Sequence, residues 1–316
     1  MPWPWQLIMT KNRLQRLYKK YCVRTEWNIG VVQATDAARR ELVTSGRLGP
    51  IQWCPRVTIL SSRADPFVWP SDEEVRVIYE EIDRWSGRGH IRSISLQRFS
   101  RWQRSRSEIV RPYHLSYPFV ILWENVWYCI PESAQTGGVD LYFWDPNTDS
   151  WQLKRRLLEG AAIVDATLFR HDEIWYLFGT IRGPLAYDTL KIWWSHSIEG
   201  QWSLHRSDPA KVDLRSARSA GSFFEVDGRW YRPAQDCTNG YGSALTINRI
   251  DTLTPIDFQE KTVSRVQPSP NGPYPHGLHT LSVYGNQILI DGKRVGFSAL
   301  LPAMKAARKL ARLFKS

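Results

Sequence analysis

The chain has 316 residues, 42% hydrophobic and 23% charged, with a mean hydropathy of -0.40 and a formal net charge of +11. That length accommodates one large or two modest domains with a sizeable core, and the lack of an apolar run of about 18 residues argues against a membrane-spanning helix. Four cysteines with no CxxC pair argue against zinc and against a disulfide framework, and their scatter fits a reducing compartment.

In chain order, the first segment is MPWPWQLIMTKNRLQRLYKKY. It carries Lys11, Arg13, Arg16, Lys19, Lys20 and, just beyond, Arg24, with no acid before Glu26. Its charges follow the apolar patch and no small-residue cleavage site is present, so it is not read as a secretory signal. Residues 1–25 are expected to form a basic, helical extension.

Five related hairpins follow, each two short apolar runs around a turn. They are SRADPFVWPSDEEVRVIYEE at 62–81, LSYPFVILWENVWYCIPE at 115–132, IVDATLFRHDEIWYLFGT at 163–180, ARSAGSFFEVDGRWYRPAQD at 217–236 and HGLHTLSVYGNQILIDG at 276–292. Trp127 and Tyr128 lie 48 residues before Trp175 and Tyr176, and Trp230 and Tyr231 lie 55 after them. Intervening stretches such as LYFWDPNTDSWQLKRRLLEG supply two further strands per unit. A period of about 50 residues predicts an all-β, five-bladed β-propeller over 26–296. The Pro-rich QPSPNGPYP at 267–275 is then an inter-blade loop. The 16 Trp residues either pack in strands or form platforms for sugars.

The last segment, 297–316, has five cations and no anions, with Met304, Ala307, Leu310, Ala311 and Phe314 at helical spacing. A basic amphipathic helix is expected there. Either it docks on the body with its charges solvated, or it lies peripherally on an anionic membrane. No motif accompanies the charge that would point to nucleic acid.

In a propeller the first strand of each blade lines the channel and the second returns to the same face. Strand starts bring Asp65, Tyr117, Asp165, Ala220 and Gly277 to one mouth, with Ser116, Ser219 and His276 just before three of them. Strand ends bring Glu81, Glu132, Thr180 and Gln235, with Asp236 adjacent. Converging carboxylates repel one another, so their pKa values separate, as general acid and base work at a glycosidic bond requires. Singly, each acid reads equally as a turn former or strand cap; as a set they read as a site. Asp65, Glu132 and Asp165 are the expected catalytic groups. Glu81, His114, Tyr117, Arg218, Arg232, Gln235, Asp236, Tyr241 and His276 are the expected substrate-binding groups. Arg218 and Arg232 suit phosphate, although Arg218 also reads as the salt-bridge partner of a rim carboxylate. The His276–His279 spacing does not present two ligands to one metal, and no metal is expected from it.

The openings ADPF and VDATLF resemble those of five-bladed propeller glycosidases of the family 43 type. That resemblance implies a base at Asp65 and a pKa modulator at Asp165, but the position of the family's blade-four acid holds Ser219, which speaks against ordinary hydrolysis. ADPF, HLSYP (114–118), IPE (130–132), ARSAG (217–221), RPAQDC (232–237) with Tyr241-Gly242, and HGLHTL (276–281) more closely resemble the amino-terminal domain of plant glucosamine inositolphosphorylceramide transferases and its bacterial relatives. This resemblance implies a glycosyltransferase of surface glycan or glycolipid synthesis, using a nucleotide sugar or lipid-linked glycan at the cytoplasmic membrane face. The alternatives are a glycoside hydrolase and, because the plant transferase chemistry is assigned to a separate carboxy-terminal domain, a glycan-binding module. Some related propellers hold calcium in the channel, so a structural calcium ion is the one metal the resemblance allows.

Overall fold

The computed structural model describes residues 23–56, 60–70 and 74–298, together with residues 302, 303 and 307. The basic segments expected to be helical at the two ends therefore fall almost wholly outside the described residues. Among the described residues no helix is long and apolar enough to cross a membrane.

Five antiparallel sheets surround a channel, and four are consecutive in sequence. The first blade is Ser61–Pro70, Val75–Asp83, Arg88–Ser95 and Arg106–Ile109. The second is Ser116–Trp123, Val126–Glu132, Gly138–Asp145 and Ser150–Glu159. Ile163–His171, Ile174–Ile181 and Thr189–Ser195 form the third, with the short Ser203–Leu204 and Lys211–Val212 on its outer edge. The fourth comprises Phe224–Val226, Arg229–Asp236, Ala244–Leu253 and Phe258–Val266.

The fifth blade is assembled from both ends of the chain. Leu281–Tyr284 and Gln287–Phe297 provide its inner hairpin, and Val23–Gln33 pairs with Gln287–Phe297 over all eleven residues, from Val23 opposite Phe297 to Gln33 opposite Gln287. Gln52–Trp53 completes the sheet. This closure removes the two edges an open ring of blades would leave unpaired. Between them the helix Asp36–Ser45 starts at Thr35, whose side chain accepts the Ala38 N–H, and ends at Gly46 in the left-handed region. Its buried Leu42 and Val43 pack with Val266, Leu245 and Phe224 of blade four and Ile288 of blade five.

Five tryptophans among the described residues pack blade to blade. Trp69 of blade one meets Trp144 and Trp151 of blade two at centroid distances of 4.4 and 5.1 Å, and Trp175 of blade three meets Trp123 edge to face at 5.3 Å. All but Trp123 are buried, so for this group packing, and not sugar stacking, explains the abundance.

Candidate functional site

The innermost strands of blades one to three share an irregularity near their starts. Pairing is interrupted between Ala64 and Phe67, Ser116 and Phe119, and Val164 and Thr167. At the break stand Asp65, Tyr117 and Asp165 with φ of 53°, 42° and 51°. None is glycine, and left-handed backbone at such residues costs roughly 1–3 kcal/mol each, a strain that collects at functional sites. The break turns each backbone N–H off the ladder, and a carboxylate accepts it in every case. Asp291 Oδ2 accepts from Asp65 at 3.3 Å, Asp65 Oδ2 from Tyr117 at 3.2 Å, and Glu132 Oε2 from Asp165 at 3.2 Å. Asp165 Oδ2 continues the relay into blade four by accepting from Arg218 Nε at 2.6 Å and Gln235 Nε2 at 2.8 Å.

Asp65, Glu132 and Asp165 line a cavity of about 220 Å³ together with Glu80, His114, Ser116, Arg218, Tyr241, His279 and Trp27. Burial is the largest influence on its acids. It pushes Asp65 up to about 6 against the opposing pull of His279, with Asp291 and Asp165 adding to the rise. Burial, with the Asp165 charge, pushes Glu132 up to about 8 although Arg218 opposes it. Glu80 is driven well above the usual carboxylate range by burial and by the charges of Asp65 and Glu132. At neutral pH the pocket thus holds an ionised Asp65 beside a protonated Glu132. Burial works most strongly against the charge on Arg218, but the Asp165 carboxylate, Tyr241 and Glu132 together outweigh it and the guanidinium is held more firmly protonated than usual.

His114 Nδ1 accepts the Gly89 N–H at 2.8 Å, so the neutral ring carries its proton on Nε2, which lies 3.2 Å from Glu80 Oε1. Burial, then Arg182 and His90, lowers its pKa and keeps it neutral. A wider cleft of about 760 Å³ shares His114, Glu132 and Arg218 with the inner pocket and extends over Trp85, Arg88, Arg182 and Tyr187.

Of the expected site residues, Asp65, Glu132, Asp165, His114, Arg218 and Tyr241 line the inner pocket. Gln235 is behind it, orienting Asp165 and bonded to the Ser219 carbonyl at 3.1 Å. Tyr117 does not line this pocket; it is fully buried, with its hydroxyl tied to Thr167 of blade three at 2.9 Å and to the Gly221 N–H at 2.6 Å.

Four expectations are corrected. Glu81 faces away from the pocket, toward Tyr79 and Arg92, and Glu80 takes the place expected for it because Ala64 pairs with Glu80 as Ser116 pairs with Glu132. Arg232 is fully buried in a bidentate pair with Glu260 and bonded to Ser216 and Ala217 carbonyls, leaving nothing for phosphate. Asp236 is spent on Thr238 and Arg265 outside the pocket. His276 is exposed and accepts the Val295 N–H, while His279 is the histidine that enters the channel. Glu80, His279, Asp291 and Trp27 were missed by sequence reasoning. The HGLH motif held the signal for His279, and period-two alternation held that for Glu80.

Asp65, His279 and Asp291 present ligand atoms within 4.8 Å of one another. The arrangement does not fit calcium. His279 sits between the two acids, with Nδ1 on Asp291 and Nε2 3.6 Å from Asp65, and although burial opposes its charge, Asp291 and Asp65 raise its pKa. The His279 ring, stacked on Trp27 at 4.0 Å, fills the space between the acids with a nitrogen donor, and calcium calls for six to eight oxygen ligands. Ser219 is buried with a hydroxyl that has no hydrogen-bond partner among the described residues.

Comparison with solved structures confirms the architecture. A family 117 glycoside hydrolase of Zobellia galactanivorans superposes with a TM-score of 0.54 at 12% identity, covering 85% of this chain and 90% of that one. The catalytic domain of a GH62 α-L-arabinofuranosidase from Coprinopsis cinerea gives 0.54 at 13% identity, covering 74% and 82%. At such identities the likeness shows the propeller fold alone.

Among curated proteins, glucosamine inositolphosphorylceramide transferase 1 of Oryza sativa subsp. japonica is 31% identical over 207 residues, 64% of this chain and 28% of the relative. The protein of the same name from Arabidopsis thaliana is 29% identical over 247 residues, 73% of this chain and 32% of the relative. The chain thus spans under a third of the length of the plant proteins it matches. With residues 51–272 matching its profile, the chain belongs to the family described as glucosamine inositolphosphorylceramide transferase 1, N-terminal.

Proposed function

We propose that the chain is a carbohydrate-active enzyme that transfers a glycosyl unit from an activated donor to a glycolipid or surface-glycan acceptor. The observation that carries this reading is the convergence of Asp65, Glu132 and Asp165 from three blades on one buried pocket, where burial pushes Asp65 up to about 6 and Glu132 up to about 8. A base and an acid are then available together at neutral pH. Asp65 takes the proton of the attacking acceptor hydroxyl, and Glu132 gives its proton to the leaving oxygen. The names of the plant relatives support transfer, and Ser219 in place of the hydrolase acid argues against ordinary hydrolysis. Attachment at the inner face of an anionic membrane through 297–316 brings the pocket to a lipid-linked acceptor. Equal co-sedimentation with anionic vesicles before and after removal of 297–316 would eliminate that attachment.

The second reading is a non-catalytic glycan-binding module. One observation favours it: Asp65, Glu132 and Asp165 each carry a hydrogen bond that ties one blade to the next, so all three have a structural task. Incubation of the pure protein with a panel of nucleotide sugars, with and without lipid-linked acceptor, separates the two. Acceptor-dependent nucleotide release establishes transfer. Sugar binding with no release establishes the module.

A further inference from the structure

The two parts of the site differ in their balance of charge. In the inner pocket cations are matched by carboxylates, Arg218 by Asp165 and His279 by Asp65, while burial raises Glu80 and Glu132. Outside it, the wider cleft carries Arg88, Arg182 and Arg218 with Glu132 as its one carboxylate, and Glu132, pushed to about 8, is neutral at pH 7.

Exposed arginines alone do not make a site, and Arg88 and Arg182 are exposed. Arg218 is different, because it is only 8% exposed and faces both spaces. Its Nε is committed to Asp165, while its two terminal nitrogens have no hydrogen-bond partner among the described residues. The rings of Tyr241 and Tyr187, 4.9 and 5.5 Å from its central carbon, fix its plane. A desolvated guanidinium, fixed in orientation with an open edge, is suited to a bidentate oxyanion. The Arg182 charge is felt as far as His114, which places it within electrostatic reach of the same floor. The side chain of Arg88 donates to the Pro112 carbonyl at 2.8 Å through Nη1, which leaves Nη2 for a ligand.

We propose that the outer cleft is a binding site for a phosphate or diphosphate ester, held by Arg88, Arg182 and the open edge of Arg218. This rests on the sugar-transfer reading and names its substrate class: a sugar joined to phosphate, with the ring among the inner carboxylates and the charged group outside them. The reverse placement is disfavoured, because the cations of the inner pocket are already matched, Arg218 to Asp165 and His279 to Asp65, and a phosphate there meets those carboxylates with little water to screen them.

The test is calorimetric titration of the full chain with inorganic pyrophosphate at 0.15 M salt. One saturable site is expected, weakened tenfold or more in the double variant R88A/R182A and in R218K, which keeps the charge beside Asp165 but loses the planar fork. R249A, at a surface ion pair on the fourth blade, is expected to bind as the parent does. Equal affinity in R88A/R182A and the parent overturns the proposal by assigning the anion to the basic terminal segments, and so does an absence of saturable binding. Competition by a nucleoside diphosphate or by vesicles containing phosphatidylinositol supports it and distinguishes a soluble donor from a lipid headgroup. Competition by neither overturns it. Glycosyl transfer at undiminished kcat/KM in R88A/R182A overturns the subsite while the transfer reading stands. Pyrophosphate binding that is lost in R88A/R182A, with no turnover of any donor, does the reverse.

Discussion

The two ends of the channel are built from the same innermost strands and have opposite characters. At one end, broken pairing and left-handed backbone turn Asp65 and Asp165 inward. At the other, toward the hairpin turns, pairing is regular and the strands line an apolar hollow of about 410 Å³ with Phe67, Phe119, Leu168, Trp175, Phe223 and Tyr284. The contrast shows that the fold supplies the channel and the bulges supply its polar groups. Two residues opposite one between ladder pairs expose polar groups that a regular strand would bury or turn aside.

If only the bulged end is functional, substitutions there and at the apolar end should separate sharply. The largest effect is expected for D65N, a loss of about 10²- to 10⁴-fold in glycosyl transfer with an unchanged circular dichroism spectrum. Undiminished turnover in D65N and likewise in D165N removes the catalytic reading. Next is G221A, at the corresponding point of blade four, where φ is 132° and a Cβ would stand 1.7 Å from the Leu281 carbonyl oxygen. It should lose about 3 kcal/mol in urea unfolding, or fail to fold, through backbone strain; a stable G221A would show that blade four does not share the constraint.

A subtler separation concerns pH. Glu132 ordinarily ionises near 4.5 and here near 8, so between those values the folded state holds a proton that the unfolded state lacks. Stability therefore falls as pH rises through that window, by at most about 1.4 kcal/mol per pH unit, and the loss is complete above the folded value. E132Q should flatten this slope in pH-dependent urea melts and remove the alkaline limb near pH 8 from the rate profile, leaving the acid limb of Asp65 near 6. Parallel slopes in parent and variant would contradict the assignment. The smallest effect is expected at the opposite end: L122S, on a side chain 47% exposed, should stay within about 0.5 kcal/mol and leave turnover alone. A large loss of turnover in L122S would mean that the two ends are coupled.

Local pattern carried the hairpins, their period and the acids at strand starts, since turn residues and alternation are local signals. It did not carry register across the longer turn of blade one. There an offset of one residue exchanged Glu80 for Glu81, because successive side chains face opposite sides of a sheet. The same alternation sends Arg232 and Asp236 away from the face that Gln235 shares with Asp165. In HGLH, the later strand start favoured His279 over His276. The pairing of Val23–Gln33 with Gln287–Phe297 left no local trace, being a contact between opposite ends of the chain.

That last pairing has a consequence for how the protein comes to work during synthesis. Asp291 lies on Gln287–Phe297, opposite Ile29, and it holds both the Asp65 N–H and His279. Four blades can emerge and fold in turn, but the inner pocket lacks its fifth wall until the final strand leaves the ribosome and finds a partner made about 260 residues earlier. Completing the ring and completing the pocket are one event, so the inner pocket is assembled only once the strand ending at Phe297 has been made.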